Sequence, residues 1–316
     1  MSQLTISQKS TLRQYLQRYG LILSFLLLCL VLTLLSDRFL TASNLTNVLR
    51  QSTINGIIAV GMTFVILTAG IDLSVGSILA LSSVITAGML VADVNVPLAV
   101  TLGLGIGAAM GLMNGVIITR FKVPPFVTTL GMMTIARGLA LTYTEGRPIT
   151  GLPDSFRVIG TGSIGPIPIP IIIAAATFVI GYIILTRTTL GQYIYAIGNN
   201  PVAARYAGIK VHLNTTFVYM LSGLLSALAG LILIARLNSA QPTAGLGFEF
   251  DAIAAVVVGG TSFAGGQGSL GGTLIGVLII AVLDNGLNLL NVSAFYQPVV
   301  SGIVIAVALL LHRAIR

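Results

Sequence analysis

A single cysteine, Cys29, excludes a disulfide within the chain and any cysteine-based metal cluster. Only three lysines occur, Lys9, Lys122 and Lys210, and none follows a glycine. The chain therefore has no G-x-x-x-x-G-K-[ST] phosphate loop and is not by itself a P-loop ATPase. Its two histidines, His212 and His312, make no H-E-x-x-H pair, and no G-x-S-x-G is present, so a metalloprotease or serine hydrolase has nothing to build on. Charge is scarce as well: 8% of residues are charged, against about 25% in an ordinary soluble domain.

What fills the space is hydrocarbon. Hydrophobic residues make up 55% of 316, gathered in runs near 20–36, 54–69, 74–92, 96–118, 126–144, 168–186, 214–235, 251–263, 270–290 and 297–311. Most match the ~20 residues that cross a bilayer core, and they predict one all-α polytopic membrane domain with about ten spans over 20–312. A cytoplasmic segment, 1–19, precedes it and another, 313–316, follows. The eighth run is too short to cross as a straight helix, so it is expected to be re-entrant or packed inside the bundle.

The net charge of +8 reads as membrane topology, with no role for nucleic acid. With the N-terminus in the cytoplasm, Lys and Arg at 9, 13, 18, 120, 122, 187, 205, 210, 313 and 316 lie inside. Only those at 38, 50, 147, 157 and 236 lie outside, and Arg137 falls within a span. Lys9, Arg13 and Arg18 resemble the start of a signal peptide, but no A-x-A site follows, and the first run is expected to stay uncleaved.

Small residues forecast how the spans meet. Gly103, Gly107, Gly111 and Gly115 recur every four residues, as do Ser222, Ser226 and Gly230, and Gly272 with Gly276. Such stripes let backbones approach closely. Two G-x-G-x-x-G matches, at Gly160 and Gly266, follow no strand of a βαβ unit and predict no dinucleotide site.

Three acids lie at or within spans: Asp72, Asp251 and Asp284. Asp72, with Ser74 two residues on in GIDLSVGS, is placed to cap the following helix, and Asp251 has the same relation to AIAAVVV. Lining a water-filled path and relaying protons are the competing roles. Asp284, beside Asn285 and Asn288, suits a hydrogen-bonded helix contact.

The longest inside connection, 187–213, breaks at Gly198, Asn199, Asn200 and Pro201, and continues as VAARYAGI to Gly208. Asn200 before Pro201 marks a helix start and Gly208 a stop. A short amphipathic helix on the inner face would suit docking of another protein; a solvated loop is the alternative.

Three long stretches carry a resemblance: AVGMTFVILTAGIDLSVGSILAL from Ala59, GQYIYAIGNNPVAARYAGI from Gly191, and SAQPTAGLGFEFDAIAAVVVGGTSFAGGQGSLGGTLIG from Ser239, joined by DNGLNLL from Asp284. Over nearly its whole length the chain resembles the permease subunits of bacterial carbohydrate ABC importers, a group with ribose, xylose, arabinose and galactoside members, and most of all its ribose branch. Asp284 departs from the neutral residue expected there.

The resemblance implies a vitamin B12-importer-like (type II) permease fold in the bacterial inner membrane, both termini cytoplasmic. It implies four partners: the lipid bilayer, a second permease copy, a periplasmic sugar-binding protein, and a cytoplasmic ATP-binding subunit in single- or twin-cassette form. ATP and Mg would be used by that subunit, with no cofactor on this chain. It also implies that Gly198, Asn199, Asn200, Pro201, Ala203, Arg205 and Gly208 form the element gripped by the ATPase. On the outer face, Glu145, Arg147, Arg236 and Glu249 are candidates for meeting the binding protein.

Overall fold

The computed structural model describes residues 6–293 together with 296, 299, 300, 302 and 303, with side chains from residue 20. The expected run at 297–311 otherwise lies outside the described residues, as does 313–316. Twelve helices are described: α1 Ile6–Leu35, α2 Ala42–Leu67, α3 Val75–Val91, α4 Val96–Arg120, α5 Pro125–Thr144, α6 Asp154–Thr161, α7 Ile169–Arg187, α8 Thr189–Asn199, α9 Pro201–Tyr206, α10 Val211–Leu237, α11 Phe248–Val258 and α12 Leu270–Leu289. Two short antiparallel ribbons join loops: Ile149–Thr150 with Ser239–Ala240, and Ser163–Ile164 with Ile167–Pro168.

Among the described residues five helices, α2, α4, α7, α10 and α12, are long and apolar enough to cross a membrane. Residues 20–35 of α1 and the whole of α3 are shorter apolar helices. The second span begins twelve residues earlier than its hydropathy suggests. Its first turns carry Asn44, Asn47, Arg50 and Gln51, which hide a helix from an apolar window, and Thr41 caps it by accepting from the Asn44 N–H.

At the centre stand α2 and α10. Ile57, Ile58, Met62, Phe64 and Ile66 on α2 are at most 1% exposed, which no single stripe of an amphipathic helix would allow. The outer helices show the reverse. Leu23, Leu26, Leu27 and Leu34 of α1, and Val179, Ile180 and Ile183 of α7, are exposed, a surface that suits hydrocarbon and no aqueous solvent.

Three of the four glycines in the α4 stripe meet α10. A Cβ on Gly107 would overlap Ala227 and the Gly223 carbonyl, one on Gly111 the Tyr219 carbonyl, and one on Gly115 the backbone of Thr216. Gly103 instead faces Thr86 of α3. On α12, Gly272 and Gly276 abut the carbonyls of Gly259 and Ala255 at the end of α11. The short eighth run is α11, eleven residues long and inside the bundle: Ala252, Ala254 and Val256 have no exposed surface.

Candidate functional site

The inner elbow is built locally by caps. Asn200 Oδ1 accepts from the N–H groups of Val202 and Ala203, both at 3.0 Å, and Pro201 opens α9 where its missing N–H costs nothing. Gly208, at φ +83°, ends the segment in a conformation that disfavours a side chain. Only Ala204 of α9 is buried; Val202, Ala203, Arg205 and Tyr206 are exposed, Tyr206 at 89%.

The preceding helix, α8, rests on two distant segments. The Gly266 N–H donates to the Leu67 carbonyl at 2.9 Å, tying the α11–α12 loop to the end of α2. Gly198 lies over this joint, where a Cβ would overlap both the Leu67 oxygen and the Gly266 nitrogen. Tyr195 Oη donates to the Gly268 carbonyl at 2.9 Å, and Asn199 Nδ2 reaches the Gly266 carbonyl at 3.4 Å. Burial raises the Tyr195 phenol above its ordinary pKa, so the hydroxyl keeps its proton for that bond. The glycines of the second G-x-G-x-x-G match thus serve a backbone-to-backbone contact. Sequence reading missed this partner of the elbow, although the glycine density in GGQGSLGG was a signal.

Asp72 is wholly buried but is not the N-cap of α3; that position is Ser74. Its Oδ1 accepts from the Ser74 N–H at 3.0 Å and the Ser74 hydroxyl at 2.6 Å, and its Oδ2 from the Ser222 hydroxyl of α10 at 2.8 Å. Asn114 of α4 donates to Ser74 Oγ at 2.9 Å. The carboxylate therefore ties the break between α2 and α3 to α4 and α10, a wider task than capping.

Asp251 is no cap either. The helix begins three residues earlier at Phe248, behind Gly247. Residues 241–249 turn into the protein, held by Arg137 of α5, whose guanidinium donates to the carbonyls of Pro242 at 2.6 Å and Ala244 at 2.8 Å. An arginine inside a span had to find such partners, and this was the readable signal for the inserted loop. Glu249 follows it inward: at 6% exposure, packed against Gly76, it is not on an outer docking face. Arg236 is half-buried and donates to the Arg50 carbonyl at 3.5 Å, whereas Glu145 and Arg147 are exposed.

Between α2, α10, α11 and α12 lies a cavity of about 200 Å³. Its polar lining is Gln51, Ser52, Asn55, Arg236, Asp251 and Asp284, with Phe248 on one wall. Asn55 Nδ2 donates to Asp251 Oδ2 at 3.4 Å. Asp284 thus faces this cavity rather than closing a helix contact; its neighbour Asn285 makes that contact, exchanging bonds with Asn44 at 2.9 and 3.0 Å. The cavity and the elbow share α2, and the α11–α12 loop connects two of the cavity's other three helices, α11 and α12, to the elbow.

Residues 44–309 match the family described as branched-chain amino acid transport system, permease component. The chain belongs to this permease family. It is 55% identical to the ribose import permease protein RbsC of Bacillus subtilis over 94% of this chain and 93% of that one. It is 47% identical to the RbsC of Escherichia coli K12 over 94% of each. The D-allose transport system permease protein AlsC of the same bacterium is 40% identical over 94% of this chain and 92% of its own. No solved structure gives a significant match.

Proposed function

We propose that this chain is the membrane-spanning permease subunit of an ATP-driven importer, which passes a monosaccharide, ribose or a related sugar, from a periplasmic binding protein to the cytoplasm. The observation that carries the reading is the 55% identity to a ribose import permease across nearly the full length of both chains. The missing phosphate loop assigns hydrolysis to a separate subunit, in a single or twin cassette, which uses the ATP and Mg.

In this reading the element gripped by the ATPase is α8–α9 within 187–213, with Arg205 toward the partner. An exposed Val202, Arg205 and Tyr206 on a rigid, capped turn support that role. ATP binding displaces the elbow, and the displacement reaches α2 through Leu67 and α11–α12 through Gly266. The bundle has two arrangements, and nucleotide supplies the difference in binding energy between them. A type II fold of about ten spanning helices, a second permease copy and cytoplasmic termini in the bacterial inner membrane complete the proposal. Docking of the binding protein falls to Glu145 and Arg147.

The test is reconstitution in vesicles with the ATPase subunit and the sugar-binding protein that this reading requires. Sugar should accumulate only when all three proteins and ATP are present. Uphill accumulation by this chain alone would overturn the reading.

A further inference from the structure

The cavity between α2, α10, α11 and α12 holds more hydrogen-bonding capacity than the protein itself uses. Among the described residues Asp284 has no hydrogen bond and no ion pair, and the one salt bridge is Arg157 with Asp154. Asn55 Oδ1 is buried and unpaired, and the amide's link to Asp251 is long at 3.4 Å. Among the described residues the Arg236 guanidinium has one bond, at 3.5 Å. Polar groups withdrawn from bulk solvent are ordinarily satisfied, so a ligand or water in the cavity must serve these.

The kind of ligand follows from the lining. Two carboxylates and the unpaired Asn55 Oδ1 accept, while Gln51 and Arg236 donate, and each hydroxyl of a polyol does both. One cation against two acids repels an anion, and no group of three or more His, Cys, Asp or Glu able to hold a metal occurs among the described residues. Phe248 offers an apolar face to ring carbons. A space of about 200 Å³ is on the scale of one small sugar and below the roughly 300–1,000 Å³ of a drug-sized pocket.

We propose that this cavity is a weak polyol-binding station on the sugar's route, where Asp251, Asp284 and the unpaired Asn55 Oδ1 accept from neighbouring sugar hydroxyls and Gln51 and Arg236 donate to sugar oxygens. The assignment rests on the importer reading and adds residues that contact the sugar within the permease. Weak binding suits the place, since a tight site would hold the sugar back from release.

The full chain in vesicles, carrying Ser52→Cys and Cys29→Ser, gives a direct probe, because Ser52 borders the cavity and the swap is nearly isosteric. Ribose should slow alkylation of the new thiol by a small polar maleimide, about tenfold at ten times its Kd by mass action. Adding Asp284→Asn or Asp251→Asn should remove most of that protection, as should the milder Gln51→Ala if an acid variant does not insert. Protection by sodium chloride equal to that by ribose makes this a cation site and overturns the proposal. So does the absence of protection at any ribose concentration, or protection unchanged by all three substitutions. The measurement needs neither ATPase nor binding protein, so a failed station with intact three-component uptake is distinguishable from a failed importer reading.

Discussion

The peptide N–H of Gly266 donates to the carbonyl of Leu67 across 199 positions of sequence, and Gly198 covers the joint. Three segments far apart in the chain therefore meet at one backbone contact. Replacing Gly198 by alanine forces a methyl into the Leu67 oxygen, with an overpacking cost of about 1–3 kcal/mol. The variant is expected to insert and to lose at least about tenfold in ATP-driven sugar uptake, measured in vesicles with the partner subunits.

Arg205 stands exposed on α9, and Arg205→Glu is expected to weaken ATPase association without altering the fold. Reversal of one charge at an interface costs on the order of 1–3 kcal/mol, or about 5- to 150-fold in Kd. Co-purification of the ATPase with the permease measures it, and unchanged affinity would exclude Arg205 from the contact.

Asp72 accepts three hydrogen bonds in a buried network, so Asp72→Ala leaves Ser74 and Ser222 without their shared partner. Loss of about 3–5 kcal/mol in stability is expected, by analogy with a broken buried charge network, and Asp72→Asn should lose less. Thermal unfolding of the detergent-solubilised chain measures both. A proton-relay role would instead make uptake by the wild-type complex follow an imposed pH gradient, which is not expected.

Much of this arrangement was readable. The apolar runs locate the long helices, the four-residue glycine stripe anticipates a close backbone approach to α4 without naming α10 as the partner, and Asn200, Pro201 and Gly208 mark α9 because caps are local. The tie between Gly266 and Leu67, the cavity at Asn55 and the reach of Asp72 to Ser222 were not readable. Each depends on residues brought together by packing, and no local period encodes that pairing. The inserted loop lay between these cases: Arg137 signalled that carbonyls were needed, but not which ones.

Arg137→Ala should free the loop at 241–249. Two charge-assisted bonds to carbonyls are lost, a cost of about 2–4 kcal/mol for a half-buried guanidinium. Faster amide hydrogen exchange at 244–251, with little change in α4 and α10, is the expected signature. Uniform loosening of all helices would show that Arg137 supports the whole bundle.

Gly111→Leu is expected to be the most damaging of these changes to folding. The Tyr219 carbonyl and Met220 Cα occupy the place of the new side chain, and both belong to backbone that cannot rotate away. Loss of more than about 3 kcal/mol, seen as failure to accumulate in the membrane, should contrast with a mild effect of Gly105→Leu, where nothing lies nearby.

The helix from Ala42 to Leu67 carries Asn55 on the polar chamber and Leu67 at the elbow. Twelve residues separate them, about 18 Å of unbroken rod at 1.5 Å per residue. A lever of that length converts a tilt of roughly 10° at one end into a shift of about 3 Å at the other. That is the width of one hydrogen bond made or lost, so a stiff stick pivoting in its socket would suffice to grip or drop a small solute without any side-chain relay.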